Sequence, residues 1–300
     1  MKRFFQFLAG GAVIFLLTSC LPKKQMLSPR LKVVTTTPVI YDWTRNIIDE
    51  NSNTTLYLSL VIKNGFNYHD YVPSEPEEAA IKTADLFIFT GGPSEQWAQE
   101  LAGTNSLNLT EIQTYDNSFS AADEHFVLCP QNAIICCQKI CEKICELDPA
   151  NAEKYKSKCQ DYIAQLELLD SAFQLTAQKA TSTTFVFCDR FPFKCLFDFY
   201  GFNYSGMYDD CPAPLNLSKD QEKEKAAQLG KKIDELGANA VYVMEDSDKK
   251  LAKTVIGYSK NPKCDTVVLD SMESATLSQL FNGKNYINTL RNDLTLLQLN

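Results

Sequence analysis

Short apolar, β-branched runs alternate with amphipathic stretches along most of the chain, and that alternation predicts the fold class. Residues 32–37 (KVVTTT) predict a strand, and Pro38 opens a helix carrying Trp43, Ile47 and Ile48. Residues 56–62 predict a second strand, the Glu- and Ala-rich stretch 73–83 a helix, and 84–90 a third strand halted by Gly91 and Gly92. Strand and helix in alternation mark a mainly parallel, doubly wound α/β sheet. The same grammar returns in the second half. Strands are predicted at 184–188, 240–244 and 266–269, and helices at 194–200, 221–236, 249–257 and 285–297. Gly201 and Gly237 end two of those helices.

The middle reads differently. Residues 130–147 predict one helix, and Asp148-Pro149 supplies a cap and a first-turn proline for the next. From there to about residue 179, Tyr155, Cys159, Tyr162, Leu166, Leu169 and Phe173 step by four and three with no Gly or Pro between them. This predicts a single amphipathic helix of about 30 residues, about 45 Å long. A helix that long acts as a strut, so the expected fold is two doubly wound α/β lobes (31–147 and 183–300) joined by one backbone helix (148–182).

The N-terminus changes the picture of where the chain works. Lys2 and Arg3 precede an apolar run from Phe4 to Leu17, which Leu17-Thr18-Ser19-Cys20 closes with small residues. The run is too short to span a bilayer comfortably and reads as a secretory leader, residues 1–19. A Cys after Leu-Thr-Ser resembles a bacterial lipobox. The resemblance implies lipidation of Cys20, with residues 20–30 as a polar tether and the lobes held at a membrane surface, on its periplasmic or extracellular face. The formal charge is −8, near −10 once Lys2 and Arg3 are removed, which argues against nucleic acid as a partner. Among the eleven cysteines, Cys136, Cys137, Cys141 and Cys145 share one helix and read as small buried hydrophobes. Cys188, Cys195, Cys211 and Cys264 leave a bridge of unspecified pairing open.

The candidate chemistry rests on the two histidines, His69 and His125. Each lies in a loop shortly before a proline that starts a helix, at Pro73 and Pro130. In open α/β sheets the loops at the carboxyl ends of strands line the ligand crevice. Two neutral imidazoles converging there would form half of a site for Zn²⁺ or a similar ion.

Residues 64–74 (NGFNYHDYVPS) and 84–92 (ADLFIFTGG) resemble the first metal-ligand region of the zinc/manganese solute-binding proteins of ABC importers, the ZnuA-like or TroA-like family. Glu124-His125 with Pro130-Gln131-Asn132-Ala133 resembles the second region. Residues 189–194 (DRFPFK) resemble the third, in an Asp-Arg-Phe-Pro-Phe subgroup, and Leu269-Asp270-Ser271 the fourth. The resemblance runs in order from about residue 32 to the C-terminus. It implies His69 and His125 as ligands from the first lobe, with Asp270 closing the site from the second. Many family members have His where this chain has Arg190, and a guanidinium cannot bind a cation. Asp189 is the expected substitute, and Glu245 its competitor.

The implied cargo is Zn²⁺, with Mn²⁺ as the alternative; residues 93–124 lack the His-rich loop of many zinc-specific relatives. The implied partners are the permease and ATPase subunits of an importer, served by a monomeric receptor. The expected chemistry is capture, with affinity falling below about pH 6.5 as imidazoles protonate and with little lobe movement. Other readings are a metal-binding adhesin or interaction lipoprotein without a transport role, a zinc enzyme, and a haem or siderophore receptor. No HExxH-like helix supports the enzyme.

Overall fold

Val33 and Val34 stand in the middle of β1 (Leu31–Thr35), which is flanked by parallel strands on both edges. The N-terminal sheet runs β2 (Leu56–Leu60), β1, β3 (Leu86–Phe89), β4 (Ser106–Asn108). Helices cover both of its faces, which is why β3 is apolar and buried at every position. These helices are α1 (Pro38–Ile48), α2 (Glu75–Lys82) and α3 (Gln96–Leu101), followed by α4 (Pro130–Leu147). The computed structural model describes residues 30–66, 68–112, 123–180, 183–208, 211 and 218–298. The leader, Cys20 and the tether up to residue 29 lie outside the described residues.

The C-terminal sheet repeats the topology: β6 (Asn203–Gly206), β5 (Thr184–Phe187), β7 (Ala240–Met244), β8 (Asp265–Leu269), all parallel. Around it lie α6 (Lys194–Tyr200), α7 (Lys219–Leu236), α8 (Lys250–Tyr258), α9 (Leu277–Phe281) and α10 (Tyr286–Leu297). The edge strands β4 and β6 are absent from the sequence expectation. They are three and four residues long, and β6 has no buried position, so neither carries an apolar signature.

Between the sheets runs α5 (Ala152–Lys179), 28 residues and therefore about 42 Å. Pro149–Asn151 form a 3₁₀ turn that delays its start. The predicted stripe faces inward: Tyr155, Cys159, Tyr162, Leu166, Leu169 and Phe173 are all buried. One hydrophobic core runs through the molecule along this helix, taking in Trp43 and Ile47 of α1, Phe185 and Phe187 of β5, and Tyr286 and Leu290 of α10.

A buried polar hub sits inside that core. Asp42 of α1 is fully buried and accepts from Arg45, from Tyr162 Oη at 3.1 Å and from the backbone N–H of Tyr286 at 2.9 Å. Arg45 also donates to the carbonyls of Leu280 (2.7 Å) and Lys284 (3.1 Å). Helices of the N-terminal lobe, the strut and the C-terminal lobe are thus tied at one carboxylate. Ten cysteines lie in the described residues; all are free, so the open bridge among Cys188, Cys195, Cys211 and Cys264 is not formed there. Cys136, Cys137 and Cys141 are buried as expected, whereas Cys145 is only half-buried.

Candidate metal centre

His69 reaches the crevice from the turn Tyr68–Asp70, which follows β2. His125 reaches it from the turn Glu124–Leu128, which leads into α4. Asp123 starts that second turn by accepting the His125 N–H at 3.0 Å. The rings stand 5.3 Å apart, and Tyr68 packs against both.

Each ring is oriented through Nδ1. His69 Nδ1 lies 2.7 Å from Ser94 Oγ and 3.1 Å from Glu124 Oε1, while His125 Nδ1 lies 3.4 Å from Asp123 Oδ1. Carboxylates on the Nδ1 side fix each ring and turn Nε2 toward the C-terminal lobe. The loop carrying Ser94 approaches Glu124 because of Gly92, at φ 93°; a Cβ there would sit 2.9 Å from Glu124 Cβ.

The C-terminal lobe faces the rings with Glu273 and Cys211. Glu273 Oε1 is 2.9 Å from His125 Nε2, and Cys211 Sγ is 3.2 Å from His69 Nε2. One donor atom from each of the four residues lies within 4.8 Å of all the others. His125 Nε2 and Glu273 Oε1 are buried and meet in a geometry too poor for a hydrogen bond. A tetrahedral ion with bonds of about 2.0–2.3 Å separates its ligand atoms by about 3.3–3.6 Å. The contacts at 2.9 and 3.2 Å lie near that spacing, and two nitrogens, a sulfur and an oxygen form a donor set that suits Zn²⁺.

The charges in the cluster are strongly coupled. Burial alone would lower the His69 pKa, but Cys211, Glu124 and Glu273 outweigh it and raise it to about 9. His125 is likewise raised against its burial, first by Glu273 and then by Asp123. Burial would raise Glu273, yet Arg190 and His125 bring it down to about 2. The Cys211 thiol, also opposed by burial, is lowered by the two imidazoles.

Of the four expected ligands, the structure brings His69 and His125 together and leaves Asp189 and Asp270 outside the cluster. Asp270 pairs with Lys284 (2.5 Å) and accepts the Met272 N–H (2.9 Å). That capped turn bends sharply at Met272, a non-glycine residue at φ 62°, and it is Glu273, three residues on, that reaches the rings. Asp189 accepts the backbone N–H of Arg190 at 2.8 Å. Glu245 is taken up by Ser271 and Ser274 beneath the same loop. Sequence reasoning missed Glu273 and Cys211. The available signal was a carboxylate one turn beyond Asp270, and a Cys in a stretch without helical or strand pattern.

Two parallel-sheet lobes, one bracing helix and a donor cluster facing both lobes define the class: a two-lobed α/β protein with a cluster of metal-ligating side chains between its lobes. The chain matches the family model described as zinc-uptake complex component A, periplasmic, over residues 33–299, and it belongs to that family. It is similar to the zinc-binding protein AdcA of Streptococcus pyogenes, with 24% identity over 92% of this chain and 57% of the relative. The chain therefore spans little more than half the length of that relative. It is also similar to the high-affinity zinc uptake system protein ZnuA of Bacillus subtilis, with 27% identity over 90% of this chain and 87% of the relative. The solved structure of the metal-dependent lipoprotein YcdH from Bacillus subtilis matches with a TM-score of 0.73 at 25% identity, covering 90% of this chain and 98% of that one.

Proposed function

We propose that the chain is the substrate-binding lipoprotein of an ABC importer, which captures Zn²⁺ between its lobes and presents it to a permease. The observation that carries this reading is the convergence of His69, His125, Glu273 and Cys211 within 4.8 Å. The two imidazoles come from one lobe and the carboxylate and thiol from the other, so a bound ion bridges the lobes and favours their closed arrangement. A thiolate beside two imidazoles favours Zn²⁺ over Mn²⁺, which prefers more oxygen ligands. The names of the relatives, zinc-binding and zinc-uptake proteins, support the same cargo. Asp189 and Asp270 act outside the ligand set in this reading.

The N-terminal pattern supports removal of residues 1–19, lipidation of Cys20 and a tether to residue 30, placing a monomeric receptor on the outer face of a cell membrane. A named relative structure, YcdH, is a lipoprotein. The test is calorimetry of the metal-stripped mature protein with Zn²⁺ and with Mn²⁺, alongside metal analysis of protein purified without added metal. One equivalent of Zn²⁺ bound more tightly than Mn²⁺ is expected; no binding of either ion sinks the proposal.

A further inference from the structure

Arg190 cannot itself bind a cation, yet its side chain is turned toward the ligand set. Its Nη1 donates to Glu273 Oε2, which also lies 3.8 Å from His69 Nε2, while Oε1 faces His125 Nε2 at 2.9 Å. The guanidinium is held in place from the other side as well: Nη2 lies 3.0 Å from Asp246 Oδ1 and 3.9 Å from Glu245 Oε2. Glu245 is itself fixed by the Ser271 N–H and the Ser271 and Ser274 hydroxyls. Arg190 is mostly buried and has little freedom to let go.

We infer that Arg190 is a specificity-determining positioning residue, which limits Glu273 to one donor oxygen and so holds the site at four ligands. This rests on the receptor reading above. A carboxylate can bind a cation through one oxygen or both, and hard ions such as Mn²⁺ use the second oxygen to raise their coordination number. Here Oε2 is committed to the guanidinium, so the ion meets two nitrogens, one sulfur and one oxygen. That number and geometry suit Zn²⁺ and leave Mn²⁺ short of oxygen. Arg190 discriminates by withholding a ligand from the wrong ion, without touching the right one.

The test uses the mature protein, Arg190→Met and Arg190→Lys, each checked for folding by thermal melting. Co²⁺ replaces Zn²⁺ as a spectroscopic probe, because its visible absorption is strong when four-coordinate and weak when higher-coordinate. In Arg190→Met, Glu273 is free to bind through both oxygens. Its Co²⁺ absorption is expected to weaken, and its Mn²⁺ affinity relative to Zn²⁺ to rise by about tenfold. Arg190→Lys keeps the charge that the surrounding carboxylates need and serves if the Met protein does not fold. A single ammonium cannot hold Glu273 and Asp246 as a planar fork does, so the same shift is expected at smaller size. An unchanged spectrum and an unchanged Mn²⁺-to-Zn²⁺ ratio in the folded variant overturn this inference alone. If the unaltered protein binds neither ion, the receptor reading falls and takes the inference with it.

Discussion

At the four donor residues, protons stand where a cation would. Two imidazoles raised above their ordinary range face a lowered thiol and a Glu273 carboxyl held at about 2, so each side of the cluster favours the charge that answers the other. Loading Zn²⁺ must release the ring protons. For His69, raised to about 9, the competing proton is present throughout the range below that value, so apparent Zn²⁺ affinity should climb with pH until about 9. This moves the expected window upward from 6.5, the ordinary imidazole value. Competition titrations between pH 6 and 9 check it, and an affinity that is flat above pH 7 would contradict it.

The same residues set the order of the substitutions. His69→Ala and His125→Ala should each weaken Zn²⁺ binding by more than about a hundredfold, beyond the usual cost of losing an outer-shell partner. Cys211→Ser should weaken Zn²⁺ more than Mn²⁺, because it exchanges a soft donor for a hard one. Asp189→Asn and Asp270→Asn should stay within about tenfold of the unaltered protein. Chelator competition ranks all five, and a large loss in either Asp variant would return that residue to the ligand set.

Among the elements, α1, α5 and α10 carry the joint between the lobes, and their packing converges on Asp42. Burial raises this carboxyl, while Arg45, the Tyr286 N–H and the Tyr162 hydroxyl pull it back down. Asp42→Ala would strip partners from a half-buried guanidinium, a buried hydroxyl and a backbone N–H at once. It should cost about 3–5 kcal/mol, the range for breaking a buried ion pair. Urea denaturation of the metal-free protein measures this; a loss under about 1 kcal/mol would show that Arg45 finds adequate partners in the Leu280 and Lys284 carbonyls alone.

Over the whole molecule, a core continuous from one sheet to the other along a 28-residue helix leaves little room for wide opening. Metal should therefore stabilise strongly while changing shape little. At a hundredfold excess over the dissociation constant, Zn²⁺ adds about 2.7 kcal/mol, enough to raise Tm by about 5 °C in a chain of this size. Small-angle scattering of metal-free and loaded protein should give nearly superimposable curves. A large drop in radius of gyration on loading would mean that the strut bends.

The alternation of β-branched runs with Pro-started helices, and the uninterrupted stripe from Tyr155 to Phe173, were enough to determine two parallel-sheet lobes and a strut, because local periodicity reports which face each element buries. His69 and His125 were legible as candidates for the same reason, each standing in a loop where open sheets bind ligands. The other half of the site was not. Asp270 and Glu273 lie three residues apart in one loop, and only the left-handed turn at Met272 decides which carboxylate points at the rings. Cys211 meets His69 across 142 positions of chain, and Arg190 meets Glu273 across 83. Contacts that distant are set by how two lobes pack against one helix, a long-range outcome that no local pattern encodes.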